Sequence, residues 1–538
     1  MLMTGPAGTG KTWVIKAVQS LMKRYNSAHK IRFLAPAGTA AALIEGMTVH
    51  KGLGIKISSD QKGKCNRELG RDKEDYSVVI SVQNHIKLRE EWCDVQIVLI
   101  DEVSLLSSEI NAEVDAALRF AKEQPDVWYG GIMVVFTGDF FQYPPVCGTP
   151  LYNPVTSYGN QANSEICKRL GRLAWKSVNS VINLTEQERM KADPDFGDAV
   201  GRLRIRECTM EDVDLFNCSI IRSPTSHQGV DMSAAEEKNA VCIVDTNAIQ
   251  EILNIQKAHS ICTESGDALV MSTAIDKCSS TSLSNTQVHH LLNMDFSSSK
   301  LKQSLPGFVP LFINMPVILC NKNLSTDLGI TNGAQGILKN FYTAMSKTVL
   351  TYCTCAIVYF PSSKVQLSGL EKGEYPIFPM STTFSTRLQT ENVTKTVRIS
   401  QSQLPFQPGF AVTGHSAEGK TLPRVVAGLH KGGFRAYVTA SRAKCRHHLH
   451  ITHLVTLHDL NKPLPFHLLQ DNAHLNAIQH NTMIKHGFVS GDPKPIPDPE
   501  SEQTIKEGPI SVKIPTSSES ADNISLLKCK SVTSWKFD

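Results

Sequence analysis

No stretch of this chain is apolar for long enough to form a membrane-spanning helix, and no partner membrane is expected. No secretory leader is expected, because the sequence runs straight into a glycine-rich loop. The fourteen cysteines lack regular C-x-x-C spacing, which argues against a zinc site or a disulfide framework and reads as reduced intracellular thiols. Charge of one sign is also scarce: the formal net charge is +4 over 538 residues, so any basic surface for nucleic acid must be local. What is present is ordinary for globular protein, at 41% hydrophobic and 20% charged residues, and the length suits three or four compact units.

The chain is organised around Gly5-Pro6-Ala7-Gly8-Thr9-Gly10-Lys11-Thr12, a full match to G-x-x-x-x-G-K-[ST]. Gly5, Gly8 and Gly10 let backbone N–H groups turn inward toward an anion, and a helix expected over residues 11–23 adds its positive end. In such loops the lysine, here Lys11, reaches the β- and γ-phosphates of ATP, and the hydroxyl, here Thr12, ligates Mg²⁺. Met1-Leu2-Met3 supplies the end of a strand before the loop. Such a strand is normally central, yet only four residues precede Gly5; a fragment, a truncated gene model or loss of an upstream segment each account for this.

Downstream, apolar runs alternate with helical patterns. Ile31 to Ala35 reads as a strand, followed by a turn and helix through Thr39, then Thr48 and His50. Residues 51–80 are polar and weakly patterned, as in a surface insertion. Val95-Gln96-Ile97-Val98-Leu99-Ile100 is a β-branched run suited to a parallel strand buried on both faces. It ends in Asp101-Glu102, a pattern in which Asp101 holds Mg²⁺ and Glu102 deprotonates the attacking water. A helix is expected over residues 108–122, then a strand ending in Gly138-Asp139-Phe140-Phe141-Gln142, where Gln142 is placed to touch the γ-phosphate or the water. This alternation predicts a doubly wound parallel sheet with Lys11, Asp101 and Gln142 beyond the carboxyl ends of its strands.

A second unit follows, with a strand at Val241 to Val244 and β-prone segments between residues 339 and 398 that suggest an inserted small β-barrel. The chain then passes through Thr413-Gly414-His415-Ser416-Ala417-Glu418-Gly419-Lys420-Thr421 and Tyr437-Val438-Thr439-Ala440-Ser441-Arg442. The Pro- and Gly-rich residues beyond 487 cannot bury enough apolar area to order themselves. The expected division is 1–180 and 181–470, with 471–538 a mostly disordered tail.

Taken in order, these pieces resemble the Pif (petite integration frequency) helicases, of the RecD-like branch of superfamily one, over residues 1 to about 452. The resemblance implies an α/β P-loop NTPase with two RecA-like doubly wound domains and small insertions. It implies an ATP- and Mg²⁺-dependent motor moving 5′ to 3′ on single-stranded DNA and opening forked or tailed duplexes, in the nucleus or the mitochondrion. Arg189 and Arg442 are then arginine fingers reaching the γ-phosphate from the second domain, since a planar guanidinium stabilises charge on transferring phosphoryl oxygens. Thr39, His50, Thr413 and His415 fall in pieces that contact the strand or couple it to ATP. The sequence departs from the family at three points: the upstream adenine-reading segment, Glu418 and Lys420 where glutamines are preferred, and Met190 after Arg189. These departures keep a second reading open, a transposon-derived remnant that binds nucleic acid without productive unwinding. A third, a P-loop enzyme of another class, is disfavoured by Gln142 and by the Tyr437-to-Arg442 piece.

Overall fold

The computed structural model describes residues 1–55, 85–154, 163–222, 229–232, 240–278, 283–294, 305–320, 324–325, 328–346, 349–390 and 393–497. The expected insertion at 51–80 therefore lies outside the described residues from 56 onward, and its first residues close the short helix Val49–Leu53.

Two parallel sheets carry the architecture. The first runs in the spatial order Met47–Thr48, Ile31–Ala35, Ile97–Ile100, Met133–Gly138, Leu2–Thr4, Val181–Asn183, all parallel. The second has four parallel strands, Ala411–Thr413, Val241–Val244, Val425–Ala427 and Leu449–Ile451. Both are covered by helices, as parallel sheets require. The helix Ser108–Lys122 forms where the sequence predicts it. Ser107 caps it by accepting from the Ile110 N–H, and the buried Ala112, Val114, Ala117, Leu118 and Ala121 recur at helical spacing. In the second unit Asn254 lies on the helix Asn247–Ser265 and satisfies both backbone groups of the edge residue Ala411, donating to its carbonyl and accepting from its N–H at 2.8 Å.

Three boundaries differ from the sequence reading. The first sheet does not stop at residue 180, because Val181–Asn183 pairs in parallel with the loop-bearing strand, Leu2 opposite Val181 and Thr4 opposite Asn183. Three residues are too few for periodicity to reveal a strand. The inserted β structure is larger than 339–398 and is not closed among the described residues. Pro316–Leu319, Gln335–Met345, Thr351–Tyr359, Glu374–Ile377 and Phe406–Pro408 form an open five-stranded sheet, while Ile275–Cys278 joins the long ribbon Met380–Thr390 and Val393–Gln403.

The expected tail from 471 is in part a helix, Phe466–Lys485. It docks on the first sheet's unit: Asp471 accepts from Arg172 at 2.7 Å and from the Trp175 indole at 3.2 Å, and the Thr482 hydroxyl accepts from the Val181 N–H. Further on, the Asn481 amide brackets Lys494, accepting from its N–H at 2.7 Å and donating to its carbonyl at 2.9 Å. The partners lie hundreds of residues upstream or in a side-chain amide, so composition alone misjudges the segment. Residues 498–538 lie outside the described residues. Among the described residues no helix is long and apolar enough to cross a membrane.

A candidate nucleotide cleft between two sheets

The topology explains why distant motifs meet. The strands ending before Gly5, at Ile100 and at Gly138 lie side by side and point the same way, so their carboxyl ends open on one edge. Gly8 sits at φ 91°, and a Cβ there would stand 2.3 Å from Gln187 Oε1 and 2.7 Å from Arg189 Cβ. The glycine is thus needed both for backbone conformation and for close approach. Gly10, in the left-handed region, precedes the helix Lys11–Arg24, on which Thr12 holds the second position. The Lys11 ammonium donates to the Gly5 carbonyl at 2.7 Å and the Pro6 carbonyl at 3.0 Å. Burial lowers its pKa, while Asp139, Glu102 and Asp101 pull the other way.

Asp101 accepts a short hydrogen bond from the Thr137 hydroxyl, and burial raises its carboxyl above the ordinary range. Glu102 takes φ 53° and ψ 51°, unusual for a side chain bearing a Cβ, and its Oε2 is buried without a protein partner. Burial first, and the Asp101 charge second, push its pKa up to about 7. A carboxylate tuned there suits a general base.

The second unit closes over this edge. The Tyr437 hydroxyl accepts from the Ala7 N–H at 2.8 Å and donates to Asp139 Oδ2 at 2.9 Å. Asp139 is fully buried and also held by Arg204, whose Nη2 reaches Oδ1 at 2.9 Å while its guanidinium stacks 3.9 Å over the Phe141 ring. Burial alone would raise the Asp139 carboxyl, but Arg204, Lys11 and Tyr437 bring it below its usual range. Arg442, 1% exposed, donates to Gln142 Oε1 at 3.3 Å and to Ser441 Oγ at 2.8 Å. The guanidinium expected from the second unit therefore faces the cleft.

Arg189 reaches the same place from the other side. Its own N–H and that of Glu188 donate to the Gly8 carbonyl, and the Gln187 amide donates to the Ala7 carbonyl at 2.9 Å. Its segment is fastened to the phosphate loop, not carried by the second sheet as expected, and only the guanidinium crosses over, donating to the Ser441 carbonyl at 2.6 Å. Burial first and Arg442 second lower its pKa to about 9. Met190 is buried in the hydrophobic core cluster that runs through both units. Among the described residues Lys11, Arg189 and Arg442 have carbonyl, hydroxyl or amide partners but no carboxylate within ion-pair distance. Three cations with no carboxylate at ion-pair distance among the described residues suit a polyphosphate, and the buried, unpartnered Glu102 oxygen suits a water beside it.

Glu418 also lines the cleft. It is 7% exposed, both carboxylate oxygens lack partners, and burial first, then Glu102, hold its pKa well above the ordinary range. Lys420 donates to the Gly333 carbonyl at 2.9 Å, and burial lowers it to about 8. Gly333, at φ 84°, lets the backbone lie against Thr39, whose methyl would be 2.5 Å from a Cβ there. Thr39 of the first unit is thus joined to Lys420 and Gly333 of the second. His415 stacks on Tyr143 at 4.2 Å between ring centroids, and the Thr413 hydroxyl pairs with Ser416 at 3.0 Å. His50 is half-buried, with its pKa lowered by burial. Asp139, Arg204 and the bridging role of Tyr437 were missed in the sequence: Asp139 lies inside a quoted motif, whereas Arg204 shows no local signal.

The PIF1-like helicase pattern matches residues 1–199. The ATP-dependent DNA helicase PIF6 of Trypanosoma brucei brucei is 25% identical over 91% of this chain and 57% of its own length; the ATP-dependent DNA helicase PIF1 of Homo sapiens is 23% identical over 82% and 57%. The chain thus spans little more than half the length of these relatives. Among solved structures, a Bacteroides Pif1 helicase in complex with ADP-AlF3 and single-stranded DNA matches with a TM-score of 0.57 at 18% identity, covering 88% of this chain and 92% of that one. The Candida albicans Pif1 helicase matches at 0.55 and 21%, covering 86% and 92%. These likenesses show a shared fold, an α/β architecture with two RecA-like parallel sheets. Joined to the ordered motifs, the family match over residues 1–199 and the curated relatives make this chain similar to the PIF1-like helicases.

Proposed function

We propose that this chain is an ATP-dependent DNA helicase that translocates 5′ to 3′ on single-stranded DNA and opens forked or tailed duplexes. The carrying observation is the pair of cross-cleft contacts, Tyr437 to Ala7 and Asp139, and Arg442 to Gln142. They tie the phosphate loop and the γ-phosphate sensor of one sheet to the helix end of the other. Glu102 takes the proton of the attacking water, its raised pKa matching that role. Lys11, Arg189 and Arg442 stabilise charge on the transferring phosphoryl oxygens. Thr12 and Asp101 would hold Mg²⁺, which would supply neutralisation of phosphate charge. Loss of the γ-phosphate removes the anion that holds the cations together, so hydrolysis loosens the cleft; repeated closure, felt at the Thr39–Gly333–Lys420 junction, becomes stepping.

The test is ATPase rate with and without single-stranded DNA, and unwinding of 5′- against 3′-tailed duplexes. Strand-stimulated turnover and 5′-tail unwinding, both lost in Lys11→Ala, support the reading; ATPase indifferent to DNA overturns it. A DNA-binding remnant without turnover is the second reading, favoured by the unpaired Glu418 carboxyl beside Glu102. Filter binding without strand-stimulated ATPase selects it.

A further inference from the structure

The long ribbon Met380–Thr390 and Val393–Gln403 has two unlike faces. On one, Phe384, Leu388, Val397 and Ile399 pack with Leu291 into a small core. The other face is laid out by the register, Ser381 opposite Ser402, Thr383 opposite Ser400, Ser385 opposite Arg398 and Arg387 opposite Thr396, with Lys277 beside Ser400 on the third strand. Ser381, Thr383, Ser385, Arg387, Thr396, Arg398 and Lys277 are exposed. These paired positions carry hydroxyls and three cations, with no carboxylate and no aromatic ring. Arg398 donates only to the Thr383 hydroxyl, at 3.3 Å, and among the described residues none of the three cations has an acidic partner. A face that serves solubility alone usually mixes both signs of charge. Here three cations are held without anions on a rigid paired scaffold.

We propose that this outward face is a docking surface for the phosphate backbone of double-stranded DNA. Hydroxyls and guanidiniums are the groups that bond phosphate oxygens without reading sequence. Single-stranded DNA is held on aromatic stacking platforms, which this face lacks, whereas a duplex keeps its bases inside and presents only phosphates and sugar. A protein interface would need a buried aromatic or aliphatic anchor at its centre. Same-face residues recur every ~6.8 Å along a strand, so Ser381 to Arg387 covers roughly 20 Å, about six base steps of one DNA strand. The inference builds on the helicase reading, because a motor on the single strand meets a duplex ahead of it.

The test measures affinity of the full chain for a fluorescein-labelled 5′-tailed duplex, and for its tail alone, across a salt series. Each phosphate contact contributes about 0.9 to the slope of log affinity against log salt. The triple variant Lys277→Ala, Arg387→Ala, Arg398→Ala is expected to lower the duplex slope by about 2 to 3 and leave the tail's slope unchanged. Arg387→Lys with Arg398→Lys restores it, because the charge is kept. An unchanged duplex slope overturns the proposal, as does an equal fall on the tail alone. ATPase stimulated by the tail is read in parallel: its absence in the unaltered chain defeats the helicase reading, while the duplex slope still reports on the ribbon.

Discussion

Tyr437→Phe separates closure of the cleft from assembly of each half. The substitution keeps the ring, which is 1% exposed, and removes one oxygen. That oxygen accepts from the Ala7 N–H at 2.8 Å and donates to Asp139 Oδ2 at 2.9 Å. Asp139 keeps Arg204 and the Phe141 N–H, so the carboxylate stays compensated. The Ala7 N–H, however, is left buried without a partner. A hydrogen bond to a charged group together with an orphaned N–H amounts to about 2–4 kcal/mol if the units stay closed. They can instead separate and let water in, so the loss appears as a shift toward the open cleft of roughly 30- to 1,000-fold. Equilibrium binding of a fluorescent nucleotide analogue should weaken toward that range, with thermal unfolding of the first unit little changed. A double-mutant cycle with Asp139→Asn should return a coupling of at least about 1 kcal/mol. Coupling within the ~0.5 kcal/mol scatter of independent sites, or unchanged nucleotide binding, refutes the assignment of Tyr437 as a cross-cleft latch.

Gly8→Ala forces a Cβ against Gln187 and Arg189 at a left-handed position, and should abolish nucleotide binding in the same assay while the fold persists by circular dichroism. Glu418→Gln should remove a pH slope. The buried carboxyl titrates above its ordinary value of 4.5, so the unfolded chain loses its proton first and stability falls as pH rises past about 4.5. The variant should therefore be more stable than the parent at pH 8 and no more stable at pH 4, as urea midpoints at the two values will show. Asp471→Ala removes the buried carboxylate that Arg172 and the Trp175 indole share and should cost about 3–5 kcal/mol, seen as a lowered melting temperature and early proteolysis within Phe466–Lys485.

The local chemistry of the cleft was legible in the sequence, because each piece is a short-range pattern. A glycine loop needs positive φ within a few residues, and a strand buried on both faces needs a run such as Ile97 to Ile100 before Asp101. The helix Ser108–Lys122 announced itself through apolar spacing. Less legible were features whose signal is one residue on a remote element. Arg204 reaches Asp139 across 65 positions, Asp471 reaches Arg172 across 299, and neither alters any local periodicity. The three-residue strand Val181–Asn183 is too short to carry a period, so the first unit was ended one strand early.

The sequence by itself determined the parts: the phosphate loop, the acidic pair, Gln142 and Arg442, and the alternation of strands and helices that makes parallel sheets. Only the tertiary structure decided which side of the cleft each part serves. It fastened Arg189 to the phosphate loop, set Glu418 beside Glu102 without a partner, and left one face of the inserted ribbon with cations and hydroxyls at paired positions. The physical reason is that side chains and backbone spacing write secondary structure locally, whereas charge pairing, burial and the face a residue presents depend on what packing brings opposite it.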